Sequence, residues 1–358
     1  MKGIVFDGDQ LSVVDGLEVR DPGANEVIVQ IVNSGVCHSD VSVIDGTIPF
    51  NTPVVLGHEG AGVVTRIGSA VTSVEVGDHV VLSTLGNCGA CGACDSGRPT
   101  MCRATFGARS QPFTLDGEPQ YQFANISSFA EHTVVKANQA VPIPKEVPLP
   151  AASLIGCGVL TGAGAVFNRA KVGVGESVVV IGVGGIGLNV IQAAAISGAN
   201  PIIAIDTNPG KQELAMEFGA THWVNAAEVD STAKVKELTG GWGANHVFEC
   251  VGAKALIEQS IGMVDWGGQV IVLGVPPLDT TVEYAPFTTY LDVSIMGCRY
   301  GSSRPQYDIR RIADLYLAGK YKLDELVTKV YPLDQVQTVI DDMHHGRLAR
   351  GVLDVCPV

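Results

Sequence analysis

The chain has 358 residues, 46% hydrophobic and 17% charged, enough for about two domains with substantial cores and too apolar for long disordered stretches. With 23 basic and 37 acidic residues the net charge is −14, which repels a phosphate backbone and an anionic bilayer and argues against nucleic acid or membrane as a partner. The amino-terminal segment carries Asp7 and Asp9 and lacks a basic region followed by an apolar run, so no secretory signal is expected.

The first part reads as β-rich. Residues 26–32 alternate within an apolar run, and 62–67 and 79–83 look like further short strands. Pro142, Pro144, Pro148 and Pro150 then make a stretch that reads as a boundary. Beyond residue 160 the texture changes. Apolar strands are predicted at 178–181, 202–205, 223–225, 246–250, 270–273 and 293–296, with helical patterns between them at 186–197 and 211–218. That alternation predicts an α/β fold with a doubly wound parallel sheet. Within it, residues 177–205 run 29 positions without a charge, long enough for a membrane span. Five glycines, Asn189, Gln192, Asn200 and Pro201 interrupt the run, and strands buried on both faces explain it better. The tail reads as helices at 309–317 and 333–343, then a last strand at 351–355.

Gly182, Gly184, Gly185, Ile186 and Gly187 form a glycine fingerprint between a predicted strand and a predicted helix. In such a turn the first glycine permits the bend, the next lets the backbone approach a pyrophosphate, and the last lets helix and strand pack closely. Asp206 ends the next predicted strand, 19 residues after Gly187, where a carboxylate accepts bonds from the adenosine ribose and repels a 2′-phosphate. This spacing points to NAD. The alternative is that Asp206 only caps the Asn-Pro-Gly turn that follows.

Nine cysteines, an odd number, are spaced as metal ligands and not as a disulfide framework, which suits a reducing compartment such as the cytoplasm. Cys88, Cys91, Cys94 and Cys102 can close a tetrahedral zinc shell with no place for water, the pattern of a structural site; an iron–sulfur cluster is the alternative. A second set is dispersed: Cys37, His58 with Glu59, and Cys157. Each has an ordinary explanation as a buried thiol or a satisfied histidine. Together they supply the two-cysteine, one-histidine shell that leaves a zinc position open for substrate, with Asp40 or Glu59 available to orient His58.

In the order of these motifs the sequence resembles the zinc-containing medium-chain alcohol dehydrogenases over essentially its whole length. The resemblance implies a GroES-like β-barrel catalytic domain from residues 1–158 and 297–358, with a zinc lobe at 86–104. A Rossmann NAD-binding domain, 159–296, lies between. It implies a homo-oligomer, dimer or tetramer, acting on a small-molecule alcohol or aldehyde with NAD and two zinc ions per chain. Cys37, His58 and Cys157 match the catalytic zinc ligands, Glu59 a transient ligand behind them, and the four lobe cysteines the structural site. Ser39 matches the hydroxyl that takes the alcohol proton. Asp206 and Lys211 match the ribose contacts, and His38 and Arg350 the basic pair at the pyrophosphate, unless these two are ordinary surface residues. Thr161 and Ile186 match residues around the nicotinamide, and Val251 and Val275 are expected as further cofactor contacts.

One departure bears on proton transfer. Many members carry a histidine three residues after the relay hydroxyl, and this chain has Ser42. For substrate, the glutathione-dependent formaldehyde branch typically has an acid and an arginine where this chain has Ile48 and Phe106. Thr84, where relatives often have an aromatic, and the run 156–166 resemble the aryl- and terpene-alcohol branch, which implies bulky benzylic or allylic alcohols. The rival readings are a thiol-adduct-dependent formaldehyde dehydrogenase, with Arg109 or Arg299 on the adduct carboxylate, and a catalytically silent nucleotide- and zinc-binding protein.

Overall fold

The computed structural model describes residues 1–105, 107 and 109–356, in two compact units. One comprises 1–160 with 304–358 and the other 161–303.

The first unit is built on two antiparallel-rich sheets. The strand Glu26–Val36 is the spine of the larger one. It pairs along one side with Glu59–Ile67 and along the other with His132–Lys136 and then Arg350–Asp354, all antiparallel. The strand was expected to stop at 32, because Asn33, Ser34 and Gly35 read as polar or breaking. They are buried, and the flanking strands pair with them instead of water. Register shifts at 28/29 and 31/33 bend the spine, so its two halves serve different partners. Ile31, Leu56, Leu82, Phe129 and Tyr331 fill the core beneath. A second sheet, in the order Leu11–Val14, Gly3–Phe6, Val54–Val55, Glu118–Gln122, Phe113–Leu115, Glu18–Val19, covers it. The proline stretch lies inside this unit: Pro148 caps the helix Leu149–Ser153, where a missing N–H costs nothing.

The second unit is a six-stranded parallel sheet. Its order is His222–Asn225, Ile202–Asp206, Val178–Ile181, Ala244–Glu249, Val264–Val272, Ser294–Gly297. Numbered within the unit this is three-two-one-four-five-six, the doubly wound dinucleotide order. The uncharged segment 177–205 forms two of these strands and the helix Gly185–Ile196 between them. Its strands are buried on both faces. The helices Ser231–Leu238 and Lys254–Ile261 complete the alternation; the sequence pattern had not resolved them. Residues 297–303 stay with this unit, because Ser294–Gly297 is its edge strand and the turn Arg299–Ser302 packs on the segment Ala165–Ala170. Among the described residues, no single helix is long and apolar enough to cross a membrane.

The glycine turn shows why side chains are absent from it. Gly182 has φ +90°, and a Cβ on Gly187 would run into the Gly182 carbonyl oxygen. Gly187→Ala must push the helix off the strand. We expect it to cost about 1–3 kcal/mol, read as a lower denaturant midpoint with unchanged slope; an unchanged midpoint would show that the approach is not needed.

Candidate active site

Three strand ends converge at one end of the larger sheet. Gly35 lies opposite Glu59, so Cys37, just past the spine, is brought beside His58, just before the next strand. Arg350 opens the returning strand on the other side, where Gly351 pairs with Val36. Cys157 follows the helix Leu149–Ser153 and its terminal turn, which pack on the strands Glu26–Val36 and Glu59–Ile67.

Cys37 leads the helix His38–Ile44, and the Asp40 carboxylate ties the cluster together. It accepts from the Cys37 N–H at 3.1 Å, the Gly57 N–H at 3.1 Å and His58 Nδ1 at 3.0 Å. That bond fixes the tautomer of the neutral ring: Nδ1 holds the proton and Nε2 keeps a lone pair. Nε2 is buried and has no hydrogen-bond partner. Its ring is held edge-on by Phe123, with centroids 5.5 Å apart. Ligand atoms of Cys37, His58, Glu59 and Cys157 all lie within 4.8 Å of one another. A lone pair left without a donor, facing two sulfurs, fits a thiophilic cation such as zinc.

The charges of the cluster act strongly on one another, and a cation seated at His58 Nε2 would have to displace a proton there. A hydrogen bond from Cys157 holds the Cys37 thiol well below its usual range against burial, and the same bond pushes Cys157 up. Burial opposes the proton on His58, but Asp40 and Cys37 outweigh it and raise its pKa. Burial pushes the Glu59 carboxyl up to about 7 while Arg350 pulls it down. Glu59 is not a free ligand here. One oxygen accepts from the Gly158 N–H at 3.1 Å, and the other is ion-paired with Arg350, which also donates to the Val36 carbonyl. Arg350 is therefore a buried residue, while His38 is exposed. The Glu59–Arg350 pair escaped sequence reading, although a glutamate expected in the interior needs a cation, and that requirement was the available signal.

The second cluster lies on the loop that carries Cys88, Cys91, Cys94 and Cys102, whose sulfurs are mutually within 4.8 Å. The pairs Cys91–Cys94 and Cys88–Cys102 are each 3.6 Å apart. A zinc–sulfur bond of about 2.3 Å requires tetrahedral edges of about 3.8 Å. The spacing suits one ion and leaves no room for iron–sulfur cores, so that alternative is withdrawn. Backbone N–H groups of Ala90 and Cys91 draw the Cys88 thiol down to about 6. All nine cysteines are unbridged.

In the second unit Asp206 does more than cap a turn. It accepts from the Val183 N–H of the glycine loop at 2.8 Å, from Lys211 Nζ at 2.9 Å and from the Asn208 N–H at 3.0 Å. Burial pushes its carboxyl up, but these bonds outweigh it and hold it below the ordinary range. Gly184 heads the helix Gly185–Ile196, and a Cβ there would meet open space, which leaves its backbone accessible. Thr161 is buried and Ile186 half-buried. Val251 and Val275 are exposed past the ends of neighbouring strands, with Val251 held by its N–H bond to Glu249 at 2.8 Å.

Residues 185–318 match the zinc-binding dehydrogenase family, and residues 23–145 match the alcohol dehydrogenase GroES-like domain. An S-(hydroxymethyl)glutathione dehydrogenase from a Synechocystis species is 38% identical, over 97% of this chain and 96% of its own. An alcohol dehydrogenase zinc-binding domain protein from Burkholderia ambifaria superposes with a TM-score of 0.94 at 38% identity, covering 99% and 98%. Benzyl alcohol dehydrogenase from Acinetobacter calcoaceticus also reaches 0.94, at 34% identity and 99% of both chains. A GroES-like barrel, a doubly wound sheet and two sites suited to zinc agree with these likenesses, and the chain belongs to the zinc-dependent medium-chain alcohol dehydrogenases, as an enzyme whose cofactors are zinc and a nicotinamide dinucleotide.

Proposed function

We propose that this enzyme oxidises bulky, apolar primary alcohols, benzylic or allylic, to their aldehydes, reversibly, with NAD as the hydride acceptor. The observation that carries this is the unpartnered Nε2 of His58, buried among Cys37, Cys157 and Glu59 with the Phe123 ring against it. Phe50 packs edge-on to Phe123 at 5.3 Å, extending an aromatic wall from the cluster. Likeness to a benzyl alcohol dehydrogenase supports the aryl reading. The glutathione-adduct reading is supported by the name of the Synechocystis relative. Against it, Ile48 packs on the apolar core where that branch typically has an acid; Phe106, at its arginine position, lies outside the described residues. Reduction of NAD should be several-fold more efficient with benzyl alcohol than with formaldehyde plus glutathione, as an order-of-magnitude expectation for an apolar wall. The reverse preference would overturn the aryl reading.

Cys37, His58 and Cys157 would hold the catalytic zinc, and Cys88, Cys91, Cys94 and Cys102 the structural one. When bound, zinc supplies a Lewis acid that makes an alcohol oxygen acidic near neutral pH, and the dinucleotide takes the hydride. The protein's own part is alignment and proton handling. Asp40 keeps the His58 ring in one tautomer and one orientation. Ser39, in the first turn of His38–Ile44, would take the alcohol proton, and Ser42 lies one turn further along the same helix face. A serine is no base at neutral pH, so the proton must leave through water. Turnover should therefore rise with external buffer concentration, and Ser42→His should flatten that dependence. A wild-type rate insensitive to buffer would contradict this route.

Asp206 would accept from the ribose hydroxyls, with Lys211 beside it, and would repel a 2′-phosphate. His38 and Arg350 would serve the pyrophosphate, Thr161 and Ile186 the nicotinamide end, and Val251 and Val275 would be further cofactor contacts. Unbridged cysteines support a reducing, cytoplasmic setting. The sheet-edge strand Ser294–Gly297, with Phe287 and Tyr290 exposed nearby in the chain, supports a dimer or tetramer. Asp206→Ala should lower kcat/KM with NAD by about tenfold or more and narrow its margin over NADP, since a charged acceptor is lost. Equal use of both coenzymes by the wild type would refute the assignment.

A further inference from the structure

The aromatic wall beside His58 does not end in solvent. From His58 the rings step outward through Phe123, 5.5 Å away, to Phe50, a further 5.3 Å, each edge-on to the last. Over the Phe50 ring lies the guanidinium of Arg109, 4.0 Å from its centroid. The ring face attracts the guanidinium and helps to hold it in place, and a guanidinium can bind a carboxylate through two parallel bonds. Among the described residues, no carboxylate lies within ion-pair distance of Arg109, although acidic residues outnumber basic ones by 37 to 23. An apolar surface that starts at the metal ligands thus finishes at a cation with its hydrogen-bonding edge unspent.

We infer that Arg109 is a specificity determinant for aryl alcohols that carry a carboxylate on the side of the ring remote from the hydroxyl. Phe123 and Phe50 take the flat ring of the substrate, and Arg109 takes its anion. The reaction is unchanged: the alcohol carbon gives a hydride, which carries both electrons, to NAD, and the hydroxyl proton leaves to solvent. This rests on the aryl-alcohol reading above and narrows it. A rigid ring matches a wall made of rings. The flexible, polar peptide of a glutathione adduct carries carboxylates too, but offers nothing for Phe50 and Phe123 to pack against.

The zinc-loaded enzyme is assayed with benzyl alcohol, with 4-(hydroxymethyl)benzoate, and with formaldehyde plus glutathione, as wild type, Arg109→Gln and Arg109→Lys. Arg109 is exposed, so both variants should fold, and matching melting curves check this. The expected result is a wild-type preference for the carboxylated alcohol of about fivefold or more, carried by KM with kcat within about twofold, because an exposed ion pair is screened and binds modestly. Arg109→Gln abolishes that preference, Arg109→Lys keeps part of it, and benzyl alcohol is unaffected by either. Raising the salt should erode the preference in the wild type and what remains of it in Arg109→Lys, and should leave Arg109→Gln unmoved. If Arg109→Gln changes both aryl alcohols alike, or neither, the role of Arg109 is refuted while the aryl-alcohol reading stands. If neither aryl alcohol is turned over and the glutathione mixture is, that reading falls and the inference with it.

Discussion

Antiparallel pairing between Glu26–Val36 and Glu59–Ile67 underlies the whole active-site arrangement. Because the end of one strand lies beside the start of the other, two residues far apart in sequence, Cys37 and His58, become neighbours without any loop having to reach. The returning strand Arg350–Asp354 uses the same device on the other side of the spine and delivers Arg350 to the same place. A ligand set built on sheet ends inherits the rigidity of the sheet, which a metal site with one open position requires. Cys157 directly follows a helix and turn seated on those strands, so it too is positioned by packing.

Burying four ionisable groups in one cluster is costly, and the structure offsets that cost bond by bond. Asp40 satisfies two backbone N–H groups and the imidazole; Glu59 satisfies Arg350 and the Gly158 amide. Replacing such groups by apolar side chains often leaves a protein as stable or more so, whereas removing one partner leaves the other charge stranded. Stability therefore does not account for the arrangement. What remains in this cluster after these bonds are counted is His58 Nε2, a buried ring nitrogen with no hydrogen-bond partner beside the two sulfurs.

Much of this was legible from sequence. The six strands of the second unit were found within a few residues, because strands buried on both faces read as short apolar runs between breakers. Both residue groups that could hold a metal were legible, the lobe from its cysteine spacing and the dispersed set from the order of its motifs. The losses have physical causes. Asn33, Ser34 and Gly35 look like the end of a strand, yet strand pairing buries them, a tertiary effect that local composition does not encode. Ser231–Leu238 and Lys254–Ile261 are short, partly exposed helices whose polar residues blur the apolar period. Arg350 read as a pyrophosphate contact or else a surface cation, and its pairing with Glu59 was not legible because that partner lies nearly three hundred positions away. The ring sequence Phe123, Phe50, Arg109 has no local motif at all and exists only in three dimensions.

The central claim is that Cys37, His58 and Cys157 share one zinc ion while the four lobe cysteines share another. Anomalous diffraction recorded on either side of the zinc edge from crystals of the purified protein tests it directly. The account predicts two peaks per chain, one of them about 2.0–2.3 Å from Cys37 Sγ, His58 Nε2 and Cys157 Sγ. A lone peak in the lobe, with His58 Nε2 bonded to another protein group, would contradict it.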